Sequence, residues 1–69
     1  VEYQEVITNV GKRIRTFRLD KKMTQLDLAS KCAIEQTNLA RIELGKTSPT
    51  LRTLFTIAEA LEVDIKDLL

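Results

Sequence analysis

Gln36, Thr37, Asn38 and Arg41 are the residues of this chain with the most chemistry to offer a partner. At about 100° per residue, Gln36, Thr37, Ala40 and Arg41 share one face of a helix and Asn38 lies at its flank. Leu39 and Ile42 share the other face. A solvated helix face usually carries Glu and Lys pairs. This one carries amide, hydroxyl and guanidinium groups, which hydrogen-bond base edges and phosphates. Its chemistry is that of a surface that reads duplex DNA.

Such a face works only if other elements hold it. Thr24 is placed to cap a helix over residues 25–32, on which Leu28, Ala29 and Cys32 form an apolar side. A tight turn then leads to the helix over 36–44, so the pair reads as a helix-turn-helix whose second helix enters the major groove. Gly45 supplies the left-handed stop that a helix end favours. Ahead of this pair, Val10, Ile14 and Phe17 face inward from a helix running from about residue 9 to 20, with an earlier start left open. Behind it, Pro49 blocks continuation and Ser48 or Thr50 caps a fourth helix. Its apolar set is Leu51, Leu54, Phe55, Ile57, Ala58 and Leu61. Asp64 and Asp67 cap a short fifth helix, where Val63, Ile65, Leu68 and Leu69 close the bundle. The expected fold is an all-α, compact five-helix domain over residues 1–69, without strands, linkers or repeats.

The stretch Gly11-Lys12-Arg13-Ile14-Arg15-Thr16-Phe17-Arg18 is followed by Met23-Thr24-Gln25-Leu26-Asp27-Leu28-Ala29. Leu39-Ala40-Arg41-Ile42-Glu43-Leu44-Gly45-Lys46, Pro49-Thr50-Leu51 and Ile57-Ala58-Glu59-Ala60-Leu61 come next. In this order and spacing, the five segments resemble the phage-repressor and Cro-type helix-turn-helix family and the related xenobiotic-response-element regulators. The likeness covers about residues 10–69 and implies a lambda-repressor-like fold.

By that resemblance, Gln36, Thr37 and Arg41 would contact base edges. Arg41 can grip guanine O6 and N7, and Gln36 adenine N6 and N7. Asn38 suits phosphate or sugar. Gln25 opens the second helix, where free backbone N–H groups and its amide can hold a phosphate. Lys46, Ser48 and Thr50 precede the fourth helix and could hold the opposite strand. Arg18 and Glu43 match a family pair that forms a largely buried ion pair under the recognition helix. Three positions depart from the pattern. Ala33 and Glu62 stand where the family commonly has Gly at left-handed sites, and Glu35 where it has a Ser or Thr cap.

Composition narrows the function classes. Of 69 residues, 43% are hydrophobic and only 4% aromatic, which fits an aliphatic helical bundle. The single Cys32 forms no internal disulfide and, with no His in the chain, lacks a partner for metal binding or catalysis. There is no paired carboxylate in an evident cleft and no Gly-rich phosphate loop, so neither an enzyme nor a cofactor is expected. No apolar run suits a membrane and no signal-peptide pattern opens the chain, which points to the cytoplasm. Net charge is only +1, yet residues 11–22 hold Lys12, Arg13, Arg15, Arg18, Lys21 and Lys22 against one Asp20. Residues 49–69 lean acidic, and such asymmetry orients a molecule in the field of a polyanion.

The sequence therefore reads as a sequence-specific double-stranded DNA-binding regulator, a repressor acting as a homodimer on a palindromic operator, with no small-molecule ligand in evidence. Leu44, Leu26 and the Leu-rich C-terminal end are candidate dimer contacts. The alternative is a helix-turn-helix module of a longer protein, an antitoxin or sensor-fused regulator, acting mainly through protein contacts. The absence of an initiator Met and the abrupt end at Leu68-Leu69 keep it open.

Overall fold

Residues 1–69 of the computed structural model form four α-helices and one 3-10 turn. The helices are α1 (Tyr3–Asp20), α2 (Gln25–Cys32), α3 (Gln36–Glu43) and α4 (Leu51–Leu61), and the turn is Ile65–Leu68. The all-α expectation holds, but the fifth helix is replaced by this turn. Four residues allow only tight i to i−3 bonds, such as Asp67 N–H to the Asp64 carbonyl at 2.9 Å. α1 begins at Tyr3, ahead of the expected residue 9. Tyr3, Val6, Ile7 and Val10 carry the helical apolar spacing to that end, but Glu2 gives no side-chain cap to announce the start.

The helix starts that have caps follow local chemistry. Thr24 Oγ1 accepts from the Asp27 N–H at 3.0 Å, and Asp27 Oδ2 accepts from the Thr24 N–H at 2.9 Å, a reciprocal capping box. Thr50, rather than Ser48, caps α4 by accepting from the Thr53 N–H at 3.1 Å.

All four helices stop in the same way. Lys22, Ala33, Gly45 and Glu62 take left-handed φ values of 57°, 56°, 73° and 61°. The next residue's N–H then reaches back five positions: Met23 to Arg18 at 3.1 Å, Ile34 to Ala29 at 3.1 Å, Lys46 to Arg41 at 3.0 Å and Val63 to Ala58 at 3.0 Å. Only one of these sites is glycine. A Cβ at each of the others costs about 1 kcal/mol.

Val10, Ile14, Leu28, Ala29, Cys32, Leu39, Ile42, Leu54, Ile57, Ala58, Leu61 and Leu68 form one core. α1 packs on α3, α2 packs on α3 and α4, and the closing turn bridges α1 and α4. α1 and α3 meet backbone to backbone at Gly11, where a Cβ would lie 2.4 Å from the Ile42 carbonyl oxygen. That contact fixes how deeply α3 is seated. Three expected core residues lie outside: Leu51 is 74%, Phe55 53% and Leu69 58% exposed. The buried stripe of α4 is therefore narrower, made of Leu54, Ile57, Ala58 and Leu61. No helix is long and apolar enough to cross a membrane.

Candidate nucleic-acid interface

Leu39 and Ile42 pin α3 to the core, leaving Gln36, Thr37, Asn38 and Arg41 exposed. None of these four side chains forms a hydrogen bond within the chain. Thr37, Asn38 and Arg41 surround a shallow polar concavity together with Glu35 and Thr47, while Gln36 lies outside it. Glu35 and Thr47 were not among the sequence candidates. Glu35 is the extended residue before α3 and makes no capping bond, so its carboxylate is unoccupied. Thr47 follows Gly45 and Lys46, and the turn there folds it back beside α3.

Beneath the helix, Arg18 and Glu43 are each 7% exposed. Arg18 Nε donates to Glu43 Oε2 at 2.8 Å and Nη2 donates to Oε1 at 3.0 Å. Arg18 Nη1 also donates to the Met23 carbonyl at 2.8 Å. The pair thus ties α1 to the end of α3 and to the loop before α2. Such bidentate geometry supplies orientation more than net stability. Gln25 joins this network, its Nε2 donating to Glu43 Oε1 at 3.1 Å. No buried side-chain N or O atom lacks a partner.

The phosphate candidates separate on this geometry. Gln25 keeps one amide N–H free, beside the backbone N–H groups of Gln25 and Leu26, which the capping box leaves unbonded. Lys46 is exposed and in no ion pair; the two ion pairs of the chain are Arg18–Glu43 and Lys21–Glu62 at 3.1 Å. Arg41 is likewise unpaired. The Thr50 hydroxyl caps α4 and donates to Thr53 Oγ1 at 3.0 Å, so a phosphate contact from it would compete with this local bond. Ser48 leans toward an apolar crevice lined by Tyr3, Val6, Pro49 and Leu51, and its hydroxyl points to the Pro49 carbonyl at 3.4 Å.

Two ionisable groups are shifted near this region. Asp27 is held below its ordinary 3.8 by the Thr24 backbone N–H first and the Thr24 hydroxyl second. Burial pushes the Cys32 thiol above its ordinary 9.0, which keeps it protonated and unreactive at neutral pH.

Known proteins share this architecture. A helix-turn-helix family pattern matches residues 14–68. The chain is 39% identical over 56 residues to the immunity repressor protein of Bacillus phage phi105, covering 81% of this chain and 39% of that protein. It is 38% identical over 60 residues to control protein C.BamHI of Bacillus amyloliquefaciens, covering 86% of this chain and 74% of that one. The restriction-modification controller protein C.Esp1396I superposes with a TM-score of 0.84 at 31% identity, over 99% of this chain and 86% of that chain. That controller has also been solved as a nucleoprotein complex. With the match over residues 14–68 and its two packed helices α2 and α3, the chain belongs to the helix-turn-helix family.

Proposed function

We propose that this chain is a sequence-specific double-stranded DNA-binding transcription regulator, a repressor, that works in the cytoplasm as a homodimer. The observation that carries the reading is the outward face of α3. Four polar side chains stand exposed there without an internal partner, on a helix fixed from below by Leu39, Ile42 and the Arg18–Glu43 pair. Free donors on a rigid, narrow support suit the major groove. Gln36, Thr37 and Arg41 read bases, and Glu35 adds an acceptor matched to cytosine N4. Asn38, Lys46, the Gln25 amide and the first N–H groups of α2 hold phosphates. Ser48 and Thr50, exposed in the turn into α4, face the opposite backbone strand, with Thr50 also capping the helix.

The controller and repressor names of the relatives support the regulatory reading. The test is selection of bound sites from random duplex DNA. An imperfect palindrome with half-site centres about 10 base pairs apart is expected, since paired recognition helices must meet one face of the duplex about 34–36 Å apart. Recovered pools without any shared motif would overturn sequence-specific reading. Motifs without a dyad would overturn the homodimer. A second reading, a module within a longer protein that works through protein contacts, draws on the match covering only 39% of the phage repressor. Full gene boundaries, with binding assays on that product, separate the two.

A further inference from the structure

Leu51 and Phe55 leave α4 with an unburied apolar line on its outer side. With Arg52 and Ile65 they line an open apolar depression, and on the other side of Phe55 a second one is lined by Ala58, Val63 and Ile65 together with the charged Glu59, Asp64 and Lys66. None of these residues belongs to the polar concavity of α3. The charges on this line have a pattern. Arg52 and Glu59 are both exposed, take part in no ion pair, and stand seven residues apart, two turns along one side of the helix. Phe55 lies between them. An antiparallel copy of α4, turned about an axis between residues 55 and 56, brings Arg52 opposite Glu59 of the second copy, twice over. The Phe55 rings then meet near the axis, as an isologous contact requires.

From this self-complementarity we infer that the α4 stripe is the dimer interface, with a second copy of this chain packed antiparallel across a two-fold axis near Phe55. The inference rests on the homodimeric reading above and gives it a surface. The dimensions agree. Half the groove spacing, about 17 Å, falls within a body 31 × 23 × 20 Å in extent. A specific interface takes about 800 Å² from each partner, about a sixth of the 4681 Å² surface. Through Leu51 the stripe is continuous with the adjoining crevice of Tyr3, Val6 and Leu69, which widens the apolar surface it offers. The other candidates are poorer. Leu68 is fully buried, and Leu26 and Leu44 line none of the apolar hollows.

The test is a charge swap read by sedimentation equilibrium of the free chain and by stoichiometry on a two-half-site duplex. Arg52→Glu and Glu59→Arg, each made alone, set like charges face to face across the axis. Each should weaken self-association at least tenfold, with helical content unchanged because both positions are exposed. Arg52→Glu combined with Glu59→Arg should return it to within a few-fold of the parent. Phe55→Ser should weaken it at least as much as either single reversal. If the parent dimerises and the single reversals leave it unchanged, or the double is no better than the singles, the α4 interface is wrong while the homodimer stands. A parent that is monomeric both free and on the duplex overturns the homodimer and this inference together.

Discussion

Arg41 and Lys46 are both exposed cations without an ion pair, but they differ in setting: one stands on the reading face of α3, the other beyond the helix stop at Gly45. Arg41→Ala should cost about 1–3 kcal/mol on the selected site and much less on random duplex, whereas Lys46→Ala should weaken both alike and lower the salt slope by about one phosphate. Titrations on the two duplexes at several salt concentrations check this; equal losses for Arg41→Ala would make it a phosphate contact. Glu43→Ala strands the buried Arg18 guanidinium and should cost about 3 kcal/mol or more. Arg18→Met combined with Glu43→Leu should recover much of that in thermal melting. The polar face of α3 was legible in the sequence because a residue's type and helical phase decide it. The Gln25–Glu43 bond was not, since it exists only once α1, α2 and α3 meet. Glu35 and Thr47 escaped for a related reason: their place in the concavity depends on how loops fold back, which has no period to read.

At the scale of the element, the starts of α2 and α4 follow from their Thr caps, whereas α1 and α3 begin without a side-chain cap. Leu51 and Phe55 read as core because apolar residues left at the surface and those that face the interior look the same in a sequence. The left-handed sites at Ala33 and Glu62 could be placed by comparison with the family's glycines, whereas nothing in the type of Lys22 announces a third. Ala33→Gly and Lys22→Gly should each raise stability by about 0.5–1 kcal/mol, seen as a few degrees of Tm. Glu62→Gly should act in the same direction, because the exposed Lys21 pair it gives up is worth little. A fall in Tm for Ala33→Gly would refute the strained stop. The α2 capping box carries an acid signature. Asp27 titrates lower in the folded chain than in the unfolded one, so its contribution is present above pH 3.8 and is lost as pH falls through the lowered folded value. Asp27→Asn keeps an acceptor for the Thr24 N–H but removes the titration, so its melting temperature should fall less steeply below about pH 4 than the parent's.

For the whole molecule, the homodimeric reading is a statement about rotation as much as distance. Inserting five base pairs between half-sites turns them to opposite faces of the duplex and should abolish dimeric binding, while ten should cost less, as gel-shift titrations can measure. Retained dimeric binding with the five-base-pair insertion would favour independent monomers. α3 keeps the side chains it presents separate from the ones that hold it in place. Its four outward side chains are tied to nothing in the protein, whereas its inward residues are packed in the core and the buried Arg18–Glu43 pair beneath them is bonded within the chain. Changes of identity at Gln36, Thr37, Asn38 or Arg41 therefore disturb no internal bond and should leave the folded chain nearly as stable as before. Target choice can then drift or be redesigned by substitution at these positions alone, with the supporting frame inherited unchanged.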